Sequence, residues 1–263
     1  MKDILVTGAY GGMGRATTLK LRENGYRVFA LDRKCGEQEE GIIPIEADIS
    51  SEDGVRSAVE TLRKYTESLC GIIHFAGIYM LDSLVEMDSE SFCRIFDINL
   101  YGVFLINKEF LPFLSTGGKI LITTSELAPL DPLPFTGIYA LTKGALDKYA
   151  YSLRMELQLL GISVSVLRAG AVGTNMLGAS TTALNCFCDK TKLYTCNADR
   201  FKRIVNSVES RYISPNKIAE KSIKIINKSK PKFAYNINRN PLLLILNLLP
   251  KAFQLWIIKL ILR

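Results

Sequence analysis

The stretch "ILVTGAYGGMGRATTLKLRENG" (residues 4–25) passes from a short apolar run into a helical pattern through Gly8, Gly12 and Gly14. A glycine-rich turn between a strand and a helix lets the backbone approach a pyrophosphate, whose charge then lies at the helix N-terminus. We therefore expect these residues to form a strand–turn–helix unit that binds a dinucleotide at the turn.

Short apolar runs and helical patterns continue to alternate beyond this unit. Because the runs are apolar on both faces, they predict strands buried in a parallel sheet. The predicted strands lie at residues 4–6, 27–31, 41–47, 71–76, 119–124 and 163–167. The predicted helices lie at residues 13–24, 51–67, 89–113 and 138–160. This order predicts an α/β fold, a doubly wound (Rossmann) parallel sheet with helices on both faces.

The length of 263 residues fits one such domain. We predict a catalytic domain over residues 1–240, which includes a substrate lid at about 175–210, and an apolar, basic helical tail over residues 241–263. The net charge of +7 is uneven, because residues 217–263 carry ten Lys or Arg and one acid. This basicity favours an anionic surface near the tail over nucleic acid as a partner.

The six cysteines form no C-x-x-C pair, and the chain has a single histidine, His74. We therefore expect reduced thiols and no metal site. The apolar run before the first glycines is too short for a signal peptide. These features together predict a cytoplasmic protein.

The second predicted strand ends near Asp32, eighteen residues after Gly14. A carboxylate at this position accepts both ribose hydroxyls and repels a 2′-phosphate, which favours NAD over NADP. Arg33, the next residue, could instead accept that phosphate. NADP therefore stays open as the alternative cofactor.

Tyr139 and Lys143 lie four residues apart in a helical pattern, so the phenol and the ammonium point the same way. A free phenol has a pKa near ~10, but nearby positive charge stabilises phenolate and lowers that pKa. A tyrosine tuned in this way can exchange a proton with an alcohol or a carbonyl. Ser125, at the carboxyl end of the predicted strand 119–124, could hold the substrate oxygen beside it. Asn99 is either a surface or kink residue of the helix 89–113, or the holder of a water that serves Lys143.

The motifs resemble those of the short-chain dehydrogenase/reductase family, simple single-domain type. They are "TGAYGGMG" (7–14), "ADI" (47–49), "DINLYG" (97–102), "YALTK" (139–143) and "AGAVGTNM" (169–176). The resemblance implies a catalytic tetrad of Asn99, Ser125, Tyr139 and Lys143. It also implies cofactor contacts, to adenine by Asp48 and Ile49, to the carboxamide by Thr174, and elsewhere by Met13, Ala76, Gly77, Tyr139, Lys143, Gly170 and Val172. Relatives commonly form dimers or tetramers through the helices at 89–113 and 138–160, so a homodimer or homotetramer is expected.

One departure from the family pattern is "HFAG" (74–77) in place of N-N-A-G, which predicts His74 to be a structural hydrogen-bond donor. The lid offers apolar side chains that either form a substrate wall or only pack the lid to the body, namely Met176, Leu177, Leu184, Phe187, Tyr194 and Phe201. The tail "NPLLLILNLLPKAFQLWIIKLILR" (240–263) is too interrupted to span a membrane. It could lie on a membrane as a peripheral anchor, cover the substrate entrance or contact a neighbouring subunit.

The tail also resembles the hydroxysteroid/retinol dehydrogenase-like branch, which implies a lipophilic substrate. The sequence thus predicts an NAD-dependent oxidoreductase that interconverts an alcohol and a ketone or aldehyde on a steroid, retinoid or long-chain alcohol. One alternative is an NADP-dependent carbonyl reductase. The other is a non-catalytic nucleotide-sensing or membrane-recruited protein on the same fold.

Overall fold

A computed structural model describes residues 2–209 and 211–263, without the side chains of residues 175–180 and 207–209. Seven parallel strands form one sheet in the order β3-β2-β1-β4-β5-β6-β7. The strands are β1 Lys2–Thr7, β2 Tyr26–Asp32, β3 Ile42–Glu46, β4 Leu69–His74, β5 Leu114–Ser125, β6 Ser163–Ala169 and β7 Ala234–Ile237. The predicted doubly wound α/β fold is confirmed.

Ten α-helices surround the sheet in the described part of the chain. They are α1 Gly12–Glu23, α2 Glu52–Arg63, α3 Ser89–Phe96, α4 Gly102–Phe110, α5 Gly137–Leu157, α6 Asn175–Lys190, α7 Thr195–Glu209, α8 Pro215–Ile226, α9 Pro241–Leu248 and α10 Lys251–Leu262. A π-helical turn, Asp97–Tyr101, joins α3 to α4, so the helix predicted at 89–113 is interrupted. Short 3-10 turns at Leu111–Phe113 and Gln158–Leu160 extend α4 and α5 to the predicted ends.

The side chains of the strands alternate between two cores, one on each face of the sheet. Leu5 of β1 packs with apolar residues of α2, α4 and α5 on one face. Its neighbours Ile4 and Val6 pack with α1 and α8 on the other. In register, Thr7 lies beside Leu31 on one side and His74 on the other, so the carboxyl ends of β1, β2 and β4 open along one edge.

A third, smaller core lies outside the sheet and holds the two lid helices, α6 and α7, against the loop before α5. Its buried members are Leu81, Phe135, Leu184, Phe187, Ala198 and Phe201. Leu262 of α10 packs against this cluster, so the tail contacts the lid. Among the helices of residues 2–209 and 211–263, none is both long enough and apolar enough to span a bilayer.

Candidate active site

The turn between β1 and α1 requires glycine for steric reasons. Gly8 has a left-handed backbone, with φ of 65°, and a Cβ there would lie 2.5 Å from the backbone nitrogen of Ala76. A Cβ at Gly14 would lie 1.9 Å from the carbonyl oxygen of Gly8. The backbone therefore closes tightly around the turn, and the N-terminus of α1 is left facing the cleft at the sheet edge.

A cavity of about 470 Å³ opens at this turn and runs along the carboxyl ends of β1, β2 and β4. Most of the predicted cofactor residues line it, namely Gly8, Gly12, Met13, Gly14, Asp32, Arg33, Asp48, Ile49, Ala76, Gly77 and Thr174. Sequence reasoning missed Tyr79 and Arg94, which also line it. Neither residue belongs to a motif. Tyr79 lies in an irregular loop, and Arg94 is one of several polar residues on α3, so the sequence does not distinguish either of them.

The carboxylate of Asp32 is held in a fixed orientation at the end of β2. Its Oδ2 accepts a hydrogen bond from the backbone N–H of Tyr10 at 2.9 Å, and its Oδ1 accepts one from that of Arg33 at 2.8 Å. Hydrogen bonds from Ser50 lower the pKa of Asp48, and the positive charges of Arg33 and Arg94 lower it further. Two acids and two guanidinium groups thus share this cavity.

Asn99 lies in the π-helical turn and is fully buried, which rules out the surface position that its place in a helix allowed. Its Oδ1 accepts from the backbone N–H of Ile78 at 2.8 Å, and its Nδ2 donates to the carbonyl of Ile78 at 3.0 Å. Nδ2 also donates to Oγ1 of Thr142 at 3.1 Å. The amide therefore ties the loop after β4 to α5. Such π turns interrupt α-helices rarely and frequently lie at functional sites.

Ser125, Tyr139 and Lys143 come together where β5 ends and α5 begins. The side chain of Ser125 lies close enough to the phenol of Tyr139 to lower its pKa. The ammonium nitrogen of Lys143 lies 5.7 Å from the centroid of the Tyr139 ring and donates to the carbonyl of Thr123 at 3.4 Å. A Cβ on Gly77 would lie 3.4 Å from that nitrogen and 3.0 Å from Oδ1 of Asn99. The four predicted tetrad residues thus form one group.

The electrostatics of this group differ from the sequence-based expectation. Burial and the neighbouring Tyr79 raise the pKa of Tyr139, and the nearby side chain of Ser125 offsets part of that rise. Burial lowers the pKa of Lys143 to about 8. The protein surroundings alone therefore hold the phenol protonated, and the lysine is readily neutralised near pH 8 because its charge is poorly solvated.

His74 ends β4 behind this group, and its side chain is 2% exposed. Its Nε2 lies 3.0 Å from Oδ1 of Asn107, whose Nδ2 donates to the hydroxyl of Tyr149 at 3.2 Å. Burial lowers the pKa of His74 to about 4. The hydrogen bond to Asn107 links β4 to α4, as expected of a structural residue.

A second cavity, of about 240 Å³, adjoins the first and reaches from Tyr139 to the lid and the tail. Its wall is mainly apolar and includes Leu127, Leu133, Val172, Phe201, Ile204, Val205 and Leu243. The lining also includes five residues with side-chain oxygens, namely Thr124, Ser125, Glu126, Thr136 and Tyr139. Gly170 and Val172, predicted as cofactor contacts, line this second cavity and are absent from the described lining of the first.

The lid residues predicted from sequence divide into two groups. Phe201 both lines the second cavity and packs in the cluster that holds the lid to the body, whereas Leu184, Phe187 and Tyr194 pack in that cluster without lining the cavity. The side chains of Met176 and Leu177 lie outside the described residues. Leu243 of α9 reaches the cavity from the tail, a contact that no motif indicated.

The family model for short chain dehydrogenases matches residues 2–185, which contain the glycine turn and all four tetrad positions. The chain belongs to the short-chain dehydrogenase family. The predicted resemblance is thereby confirmed, while its branch within the family stays a prediction. Members of this family are oxidoreductases that act on alcohol and carbonyl groups.

This short-chain dehydrogenase is similar to two named reductases and, as a third relative, to one solved structure. An NADPH-dependent 1-acyldihydroxyacetone phosphate reductase of Schizosaccharomyces pombe is 31% identical over 192 residues, 69% of this chain and 65% of the relative. This chain thus spans slightly less than two thirds of that relative's length. A 3-ketodihydrosphingosine reductase of Bacteroides thetaiotaomicron is 25% identical over 232 residues, 88% of this chain and 85% of the relative.

The third relative is a solved structure, a short chain dehydrogenase family protein from Francisella tularensis. It superposes with a TM-score of 0.75 at 23% identity and covers 90% of this chain and 97% of its own. At this level of identity the likeness is one of fold.

Proposed function

We propose that this protein is an NAD-dependent oxidoreductase that interconverts an alcohol and a ketone or aldehyde on a lipophilic substrate. One observation carries the proposal. Ser125 and Tyr139 line the apolar cavity, and the ring of Tyr139 packs 4.8 Å from that of Tyr79, which with Met13 and Thr174 also lines the cavity suited to a dinucleotide. A reactive oxygen held at this junction would be within reach of both bound molecules.

The first cavity fits a dinucleotide on steric grounds. Its glycine turn leaves backbone N–H groups uncovered by side chains, as close approach to a pyrophosphate requires. A Cβ on Gly12 would lie 2.6 Å from the side chain of Thr174, so these two residues face each other across the cleft. Asp32 would hold the adenine ribose, and Lys143 the nicotinamide ribose. The chemistry that the dinucleotide supplies when bound is hydride exchange with the substrate carbon.

The chain's own residues supply the proton chemistry. Ser125 would orient the substrate oxygen, and Tyr139 would take its proton in oxidation or return one in reduction. A protonated Lys143 would stabilise the phenolate, and although burial lowers its pKa to about 8, most of the lysine is still charged at pH 7. Asn99 would keep the loop after β4 in place beside Lys143 through its three hydrogen bonds.

The apolar wall of the second cavity supports a lipophilic substrate. Hydrophobic lining with a few polar groups is typical of small-molecule sites that select by shape and by one reacting group. Two relatives are named for lipid-type substrates, a 1-acyldihydroxyacetone phosphate and 3-ketodihydrosphingosine. We extend that class to this protein and propose a long-chain, steroid or retinoid alcohol or its carbonyl counterpart.

NADP remains the alternative cofactor. Arg33 and Arg94 line the dinucleotide cavity, and the relative from S. pombe is named as NADPH-dependent. We favour NAD because the Asp32 carboxylate is fixed at the end of β2, where a 2′-phosphate would meet negative charge.

A self-association surface is also proposed on α4 and α5. Phe104, Tyr151 and Met155 are exposed there, as is Tyr101 at the end of the π turn before α4, and large apolar side chains exposed in this way are typical of subunit contacts. We therefore propose a homodimer or homotetramer, which the mass of the protein in solution would test.

The experiment that tests the reaction is a dinucleotide-coupled screen of sterols, retinol and fatty alcohols with NAD and NADP, followed by ketones with NADH and NADPH. We expect turnover of at least one lipophilic class, with higher kcat/KM for NAD. Tight dinucleotide binding with no turnover across the whole panel would contradict the proposal and favour a nucleotide-sensing protein.

A further inference from the structure

The surface of the tail carries large apolar side chains that the body leaves uncovered. They belong to two consecutive helices, α9 and α10, and all are at least 49% exposed. They are Leu242, Ile245, Leu248, Phe253, Leu255, Trp256, Leu260 and Ile261. Soluble monomers rarely expose so many large apolar side chains together, so this face is expected to contact another apolar phase.

The opposite face of the tail is fixed to the body by polar contacts. The backbone N–H of Asn240 donates to Oε2 of Glu126 at 2.6 Å, and the backbone N–H of Asp131 donates to Oδ1 of Asn247 at 2.7 Å. The ammonium group of Lys251 pairs with the carboxylate of Asp131. These contacts determine which side of α9 and α10 faces outward.

The far end of the tail is fixed as well. Nδ2 of Asn197, on the lid helix α7, donates to the carbonyl of Leu262 at 2.7 Å. The side chain of Leu262 also packs against the lid cluster. Both ends of the helix pair are therefore held, and the exposed apolar face belongs to a docked element.

The charge around this face favours an anionic surface as its partner. The two helices α9 and α10 contain two lysines and no acid, and Arg263 follows α10. On α10, Lys259 and Arg263 are exposed four residues apart, next to the apolar side chains of Trp256 and Leu260. Cations beside an apolar helix face are typical of helices that lie in a bilayer interface, where they contact anionic headgroups.

We propose that α9 and α10 form a membrane-docking surface, which lies on the anionic leaflet of a lipid bilayer with its apolar face in the interface. The docking surface is the set of eight exposed apolar residues given above, together with Lys259 and Arg263. Docking does not depend on the proposed reaction.

The position of the docking surface has one consequence that rests on the proposed function. On α9, Leu243 lines the substrate cavity, while its neighbours Leu242 and Ile245 are 65% and 57% exposed on the docking surface. One short helix thus separates the apolar cavity from the bilayer. A lipophilic substrate dissolved in the membrane would reach the cavity past this helix without crossing water.

The test uses the full chain and Trp256, the single tryptophan, as its reporter. Vesicles of phosphatidylcholine, with and without phosphatidylserine, are mixed with the protein without dinucleotide or substrate. We expect co-sedimentation and a blue shift of the Trp256 emission with the phosphatidylserine vesicles, since interfacial burial removes the indole from water. Failure here would leave the turnover screen unaffected, so the two proposals are tested separately.

Two variants divide the docking surface into its apolar and charged parts. The triple variant Leu248→Ser, Phe253→Ser, Leu260→Ser should lower the partition coefficient at least about tenfold on the phosphatidylserine vesicles. Its control is Val85→Ser, Leu159→Ser, Leu193→Ser, three apolar residues of similar exposure elsewhere. The double variant Lys259→Gln, Arg263→Gln should lower it roughly thirtyfold on phosphatidylserine vesicles, at about fivefold per cation. Lys64→Gln, Lys192→Gln is the matched charge control.

Three results would overturn the proposal. The first is no binding of the wild-type protein to either vesicle, and the second is equal binding to both. The third is a dimer that the wild-type protein forms in solution and that the triple serine variant loses, because the face would then belong to a second copy of the chain.

Discussion

The first cavity is proposed for the dinucleotide and the second for the substrate, and they are called the dinucleotide cavity and the substrate cavity. The two meet at Met13, Tyr79 and Thr174, but segments of different kinds line them. The dinucleotide cavity is lined by residues between Gly8 and Ile98, apart from Thr174, and most of them follow directly after a strand. The substrate cavity draws on residues from Thr124 to Leu243, including lid and tail helices that lie outside the sheet.

This difference determines what each cavity can tolerate. Backbone turns at strand ends are fixed by the register of the sheet, so the dinucleotide cavity depends on glycines and on a few charges. Helices that pack through side chains form the substrate cavity, so its shape follows the volume of those side chains. We therefore expect charge changes to dominate in the first cavity and size changes to dominate in the second.

The largest effect is expected at Tyr139, where the cavities meet. Replacing Tyr139 with Phe keeps the ring and removes the hydroxyl that we propose exchanges the proton, so kcat should fall by roughly two to four orders of magnitude. The dinucleotide Kd should change by less than about threefold, because the change removes a transition-state interaction. Steady-state kinetics and calorimetric titration with NADH measure the two effects.

The control for this variant is Tyr65→Phe, a matched change at an exposed tyrosine outside both cavities. It should leave kcat unchanged. Wild-type turnover by Tyr139→Phe would show that a group other than Tyr139 carries the proton.

The next effect concerns His74, at the end of β4 near the first cavity, and the pH dependence of folding stability. Its folded pKa of about 4 lies below the unfolded value near 6.5, so the unfolded chain binds this proton first as the pH falls. Stability is therefore lost as the pH drops from about 6.5 toward 4, by about 2 kcal/mol between pH 7 and pH 5. His74→Gln, which can still bond Asn107, should lose this part of the pH dependence in urea unfolding.

The comparison that matters is the difference between the two proteins, because other groups titrate in both. If wild type and His74→Gln lose the same stability between pH 7 and pH 5, His74 is not buried in the neutral form.

A smaller effect is expected for cofactor choice. Asp32→Ser removes the charge that favours free ribose hydroxyls, so the ratio of kcat/KM for NAD over NADP should fall about tenfold. Arg33→Ser is the opposing variant and should raise that ratio. An unchanged ratio in Asp32→Ser, together with a wild-type preference for NADP, would assign the selection to Arg33 and Arg94.

The sequence predicted the parts of the molecule that local patterns determine. Strands β1 to β6, the glycine turn and the Tyr139–Lys143 pair each depend on residues within a few positions of one another. β7 was missed because "AYNI" is too short and too polar to form an apolar run. The π turn at Asn99 was read as regular helix, because an extra residue in a helical turn leaves the apolar periodicity on either side nearly intact.

The contacts that sequence reasoning could not find join distant segments. The sequence left the substrate entrance as one of three positions for the tail, and the contacts of Asn240 and Lys251 with residues more than 100 positions earlier accompany the position of Leu243 in that cavity. The raised pKa of Tyr139 depends on burial and on Tyr79, a loop residue outside every motif. Spacing along a helix indicates which groups face each other, whereas their solvation depends on the whole surrounding fold.

The smallest effect is expected in the substrate cavity at Leu243. Leu243→Ala removes part of the apolar wall, so KM for a long-chain or sterol substrate should rise about fivefold, while a short alcohol that does not reach the tail should be unaffected. Leu160→Ala, at an exposed leucine outside both cavities and outside the docking surface, is the matched control and should change neither KM. The NADH Kd should stay constant in both variants, because α9 does not line the described dinucleotide cavity. An equal rise in KM for short and long substrates would mean that the tail acts on the reacting groups, through Glu126 beside Ser125, and that the two sides of the cleft are less independent than their linings indicate.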